Sequence, residues 1–125
     1  MRKPEKRSWA ASLVAVATTA ALFFVGWHAV RFGLADYARV QSNQRLVLWE
    51  AHRINLSPRN LNAIEAWASV SASLAPEISD TYEILGTVSF IRAARPWRDE
   101  TERVEDLRRA AAQYREAAER FRVSG

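Results

Sequence analysis

Between Arg7 and Arg31 the chain runs for 23 residues, SWAASLVAVATTAALFFVGWHAV, without a formal charge and with His28 as its one titratable group. As a helix rising 1.5 Å per residue, this run spans about 34 Å, enough to cross a hydrocarbon core of about 30 Å with some tilt. It is therefore read as a transmembrane anchor over residues 8–30. That leaves a basic tip, residues 1–7, on one side and residues 31–125 to fold on the other. Trp9 and Trp27 stand near the two ends of the run, where an indole buries its ring and keeps its N–H wet. Arg31 marks the far boundary, and Phe32 and Tyr37 extend the aromatic belt beyond it.

The flanks give the direction. Arg2, Lys3, Lys6 and Arg7 are packed against the run at its start, while Arg31, Arg39 and Arg45 are dispersed beyond its end. The positive-inside rule then keeps the tip in the cytoplasm and exports everything after Val30, which in a bacterial chain means an inner-membrane protein with a periplasmic domain. A cleaved signal peptide is the competing reading, with Gly33 and Ala35 placed for a cut before Asp36. The run is longer than an ordinary signal core, however, and it ends in a Trp, His and Arg cluster suited to an anchor. Ala11 with Ala15, and Ala17 with Ala21, are small-xxx-small pairs that allow two such helices to approach, so a homodimer through this Ala-rich face is one expected association besides the bilayer itself.

The net charge of +4 comes mostly from the tip, since residues 31–125 carry 14 Arg against 13 Asp and Glu. In the last third of the chain Arg103, Arg108, Arg109, Arg115 and Arg120 alternate with Glu102, Glu105, Asp106, Glu116 and Glu119. That mixed pattern reads as a solvated helix face with local ion pairs, and it speaks against nucleic acid, which wants a patch of one sign. With no Cys and only His28 and His52, neither a Cys/His nucleophile nor a multi-His metal site is open to one chain. No Gly-rich phosphate loop exists among four scattered glycines. No catalytic residue, metal ligand or cofactor is assigned, and the reading is of a non-enzyme.

Beyond the anchor no stretch alternates like a strand, so the fold class expected is all-α: a transmembrane helix followed by a small antiparallel helical array of about four helices. A juxtamembrane segment, 31–56, holds a helix from about Asp36 to Asn55 with Tyr37, Val40, Gln44, Val47, Ala51 and Ile54 on its apolar stripe, continuous with the anchor unless Gly33 interrupts it. The segment 57–125 carries three more. Ser57 and Pro58 form an N-cap and first-turn signature for a helix to Leu74 with Leu61, Ile64, Trp67 or Ala68, Ser71 and Leu74 facing inward. A third runs from about Pro76 to Ala94, burying Ile78, Tyr82, Leu85, Val88 and Ile91. An inserted turn follows near 95–101, with Pro96 and Trp97. The fourth, capped by Thr101 or Asp99, continues to Arg122 with Val104, Leu107, Ala111, Tyr114, Ala118 and Phe121 at alternating three- and four-residue steps, an unbroken apolar seam.

Two stretches carry a family resemblance. YEILGTVSF resembles the first-helix signature of a tetratricopeptide repeat, with Tyr82, Leu85 and Gly86 at the family's Trp, Leu and Gly positions, and AAAQYREAAERF resembles the second, with Ala110, Tyr114 and Ala117. The resemblance implies that Gly86 and Ala110 are small to let two helices cross closely while Tyr82 and Tyr114 fill the flanks. From Gly86 to Ala110 is 24 residues, about twice the family spacing, and the closing Pro is missing, with Arg122 in its place. A basic tip, one anchor and a short repeat domain together resemble small single-pass proteins that accompany bacterial exopolysaccharide or other envelope-assembly machinery.

The resemblance implies a scaffold that docks a protein partner or a larger membrane complex, with Trp97, Leu107, Tyr114 and Phe121 as contact residues. Trp97 either anchors a partner or folds back over Tyr82. The rival expectations are an accessory subunit packed through its transmembrane helix against a membrane enzyme, and a cleaved soluble module touching glycan through Trp97.

Overall fold

The computed structural model describes residues 4–52 and 54–124; the side chains of the basic tip, residues 1–7, lie outside that description. Among the described residues the chain is four helices without a strand: α1 (Pro4–Glu50), α2 (Pro58–Leu74), α3 (Ser79–Ala93) and α4 (Glu100–Ser124). The all-α expectation holds.

Helix α1 passes Gly33 without a break and runs for 47 residues, about 70 Å at 1.5 Å per residue. The uncharged run and the segment after it are thus one rod. Its most apolar stretch reaches a mean hydropathy of 1.8 with none of it buried against protein, so the helix is long and apolar enough to cross a membrane. It stops at Glu50, short of the Asn55 read from the sequence. His52 takes a left-handed backbone conformation (φ 59°) there, and the Ala51 and His52 amides close the end on the Val47 and Trp49 carbonyls.

Helices α2, α3 and α4 then fold back and forth, each packed on the helix before it in sequence, and α4 rests on α3 alone. The α2 start follows the sequence reading: Ser57 caps it, its hydroxyl accepting from the Asn60 amide at 3.3 Å. Leu61, Ile64, Ala68 and Ser71 form its buried face, with Trp67 half-buried edge-on to Tyr37. They meet Ile84, Leu85, Val88 and Ile91 of α3, with Leu46 and Trp49 of α1 closing the core. Arg92, nearly buried on α3, donates to Glu65 and Asn62 of α2 and ties the far ends of the two helices together. Helix α3 begins three residues later than Pro76, because Pro76 and Glu77 form a turn that the Ile78 amide closes on the Ala75 carbonyl.

The packing face of α1 differs from the sequence expectation, and that of α4 lies beside its apolar seam. On α1 the buried residues are Ala35, Ala38, Ser42 and Leu46, whereas Tyr37, Gln44, Val47 and Ala51 are exposed and Val40 is half-buried. The Ser71 hydroxyl of α2 reaches the Ala35 carbonyl at 2.8 Å, an approach that only small residues on α1 permit. On α4 the face against α3 is Asp106, Ala110, Gln113, Ala117 and Arg120, and the apolar seam lies beside it, about 100° around the helix, one residue step at 3.6 residues per turn. Val104, Leu107, Ala111, Ala118 and Phe121 are all exposed.

Tyr114 is the seam residue that reaches α3. A Cβ placed on Gly86 would stand 3.1 Å from three atoms of the Tyr114 ring, and the phenol hydroxyl is 2.9 Å from the Thr87 hydroxyl. Gly86 and Ala110 are both buried, Leu85 is in the core, and Tyr82 is half-buried beneath the Arg120 guanidinium at 5.0 Å. Ala117 is half-buried on the same face of α4.

The Gly86–Tyr114 contact predicts a double-mutant coupling. Alanine in a helix interior is favoured over glycine by about 1 kcal/mol, and Gly86→Ala should gain most of that in a Tyr114→Ala background. Beside the native ring the gain should shrink or reverse, giving a coupling of at least about 0.5 kcal/mol in unfolding of the detergent-solubilised chain. Additive effects would show that the ring does not rest on Gly86.

Candidate docking surface

Polar contacts recur across the α3–α4 interface and the turn that joins the two helices. At its far end the inserted turn is short and tight: Arg98 grips Asp106 with two bonds, Nε to Oδ2 at 2.8 Å and Nη2 to Oδ1 at 2.9 Å, and also reaches Glu102 at 2.8 Å. Asp99 and Glu102 form a capping box: the Glu102 amide donates to Asp99 Oδ1 at 2.7 Å and the Asp99 amide to Glu102 Oε1 at 3.1 Å. Asp99, not Thr101, is thus the cap of α4. Arg103 donates to the Ala93 carbonyl at 2.9 Å, satisfying the end of α3. Further along, the buried Ser89 hydroxyl donates to Gln113 Oε1 at 2.9 Å.

Asp106 corrects the reading of this charge pattern as a wholly solvated face. Its exposure is 0%, and the carboxylate is held by Arg98 with Arg109 at 3.5 Å. Hydrogen bonding to Asp106 in turn raises the Arg98 guanidinium above its ordinary value, against the opposing effect of desolvation. The other paired acids, Glu102 and Glu116, are partly exposed as expected.

Polar and small groups occupy the packing face, so the large apolar groups are left beside it. Leu107 is 44% exposed, with Ala111 one turn on and the outer edge of Tyr114 beyond. On α3, Phe90 lies three residues past Thr87 on the same helix face and is 58% exposed. Since Thr87 meets Tyr114 and the helices run antiparallel, Phe90 and Leu107 belong to one flank of the α3–α4 pair. Sequence reasoning missed Phe90 because an apolar residue in an apolar helix reads as core; only the orientation of α3 between two neighbours exposes it. Trp97 is exposed in the turn after α3, at the opposite end of that helix from Tyr82, whose ring is under Arg120. It therefore does not fold over Tyr82. Phe121 stands exposed near the other end of α4, well apart from Trp97, so the four expected contact residues do not form one cluster.

A second constellation lies where the uncharged run ends. Arg31, half-buried, donates to the Leu74 carbonyl at 2.9 Å, to Glu77 Oε1 at 2.9 Å and to His28 Nδ1 at 3.0 Å, with Phe32 under its guanidinium at 4.4 Å. Leu74 ends α2, so the cation also meets the negative end of that helix. Glu77 is held below its ordinary value of 4.5, first by a bond from its own backbone amide and further by Arg31. A depressed carboxylate contributes stability above its unfolded pKa and loses it as pH falls through the folded one, so this tie is fully present at neutral pH. Trp9 and Trp27 are exposed on α1, as are the small residues Ala11, Ala15, Ala17 and Ala21.

Among the described residues no three His, Asp or Glu side chains are placed to hold a metal ion. His52 is exposed at the end of α1. No protein-family model, curated protein or solved structure matches the chain.

The buried pair predicts a contrast between adjacent acids. Asp106→Ala removes the charge that Arg98 and Arg109 are folded around and should cost about 3 kcal/mol, the lower end for a broken buried pair because Arg98 can turn to water. Glu105→Ala, one residue away and exposed, should change stability by less than about 0.5 kcal/mol. Equal small effects in thermal unfolding would return Asp106 to the solvated face.

Proposed function

We propose that this is a non-enzymatic, single-pass membrane scaffold whose helical array docks a protein partner on the far side of the membrane from its basic tip. The observation that carries the reading is the exposed apolar flank of Phe90, Leu107, Ala111 and Tyr114, held on a framework whose own packing face is satisfied by polar contacts. A flank of aromatic and aliphatic side chains on a rigid helix pair is the chemistry of helix-face docking.

The packing of Gly86, Ala110 and Tyr114 supports a tetratricopeptide-like arrangement of α3 and α4, a fold that works by presenting such faces. The anchor reading is supported by the exposed uncharged run and by Arg31. Cleavage before Asp36 would sever a continuous helix beside two buried alanines and discard the residue that ties α1 to Leu74 and Glu77. Charge placement puts the tip in the cytoplasm and the array in the periplasm of a bacterial cell. The architectural resemblance to envelope-assembly accessory proteins directs the docking toward a polysaccharide biosynthesis or export complex.

A photoreactive phenylalanine analogue placed at Leu107, and separately at Val16 in the uncharged run, tests the reading in intact cells. A discrete protein adduct is expected at position 107. Phe90→Asp, exposed and so tolerated by the fold, should reduce it by about tenfold, the effect of removing one good anchor. An adduct at position 16 with none at 107 would instead identify an accessory subunit packed through its membrane helix.

A further inference from the structure

We propose that the last turn of α4, with Phe121 and Val123, rests in the lipid–water interface at the level where α1 leaves the membrane, so that the domain stands on the bilayer at two points. This inference rests on the reading of residues 8–30 as a membrane anchor, and it assigns lipid, not protein, to the end of the exposed seam.

The level of that turn follows from a chain of contacts. Arg31 is the first charge after the uncharged run, so its guanidinium marks the boundary of the hydrocarbon. It holds Glu77 at 2.9 Å. Glu77 in turn lines one shallow depression with Glu116, Glu119, Arg120 and Val123 of α4. Arg120 is anchored over Tyr82, in the first turn of α3, and α4 continues past it toward the same end. Because α1 is unbroken from the run to Glu50, its direction sets the depth of everything packed on it. α2 returns toward the boundary, α3 leaves it and α4 returns again. The headgroup layer is about 5–7 Å deep on each side of the hydrocarbon, and the end of α4 arrives within that zone.

The side chains at this end suit the interface and not bulk water. Phe121 is 72% exposed and Val123 is 86% exposed, the two barest large apolar side chains outside the run among the described residues. Among the described residues nothing in the array covers them, and Ile78 in the adjoining turn is half-buried. Trp27 and Phe32 of α1 are exposed close to the same level, so Phe121 completes a girdle of aromatic groups around the exit of the anchor. Arg122 supplies a long side chain that reaches phosphate while its stem stays with the acyl chains. Glu116 and Glu119 offset Arg115 and Arg122, so insertion is driven by apolar burial and does not call for anionic lipid.

The chain has no cysteine, which allows clean single-site labelling of the full protein. An environment-sensitive NBD fluorophore would be attached in turn at Val123→Cys, at Ala111→Cys, at Val70→Cys and at Phe24→Cys, and each protein reconstituted into phosphatidylcholine vesicles. A fraction of the lipid would carry a nitroxide near the top of its acyl chain. Label at 123 should emit to the blue and lose about half of its fluorescence to the nitroxide, as a group in the headgroup–acyl boundary does. Labels at 111 and 70 should remain water-like and be quenched by iodide. Phe121→Glu should return the label at 123 to water.

Quenching at 24 with water-like emission at 123 would overturn the interfacial turn and leave the anchor standing. Absence of quenching at 24 would overturn the anchor and this inference with it. Protection of position 123 from both iodide and nitroxide would mean that a second copy of the chain covers the turn, which also overturns it.

Discussion

Arg31 joins three parts of the molecule at one point. Its guanidinium takes up the last carbonyl of α2, the Glu77 carboxylate of the α2–α3 turn and the ring nitrogen of His28 on its own helix. Without it the Leu74 carbonyl at the end of α2 would lose its side-chain donor, and an unmet carbonyl is costly. With it, the first turnaround of the array is fixed to the rod that precedes it. Because that rod does not break at Gly33, the heading of every later helix is referred back to this cation. The orientation of the domain is thus a consequence of one half-buried arginine and an unbroken helix, not of a hinge.

A second constraint operates between α1 and α2 and between α3 and α4: the faces that meet include side chains small enough for a close approach. Ala35, Ala38 and Ser42 meet Ala68 and Ser71 across α1 and α2, with Ser71 close enough to bond a main-chain oxygen. Gly86 and Ser89 meet Ala110 and Gln113 across α3 and α4, with Tyr114 laid over the glycine. Close crossing gives many dispersion contacts per residue, which compensates for the modest apolar bulk at these seams. Large side chains are displaced to the flanks, inward toward a common core for α2 and α3, and for the most part outward for α1, apart from Leu46 and Trp49, and for α4.

This explains which features were legible in the sequence. Helix count, the Ser57–Pro58 start, the inward face of α2 and most of α3 followed from local chemistry and periodicity, because those helices have neighbours on both sides and bury what is apolar. The faces of α1 and α4 were not legible from apolar spacing, since an outer helix needs only one face to pack and small residues chose it. Tyr37 and Val47 looked like core for that reason. Asp106 was hidden for a different one. Its partner Arg98 lies eight residues earlier across the inserted turn, outside the three- and four-residue spacings by which helical ion pairs are found.

The arrangement of α4 bears directly on its role. Its polar contacts are a buried ion pair to the preceding turn and, to α3, a serine–glutamine bond, a tyrosine–threonine bond and an arginine on a carbonyl, each directional and geometrically demanding. Such contacts fix register and orientation well but contribute little net stability, since each replaces a bond to water. The groups that would stabilise by burial, Leu107 and Ala111 with Phe90 beside them, are left at the surface. A helix built only to complete a fold would place these sets the other way around. Here the polar set positions the helix and the apolar set is held out by it, so whatever covers the flank gains a preorganised apolar surface without the cost of ordering it.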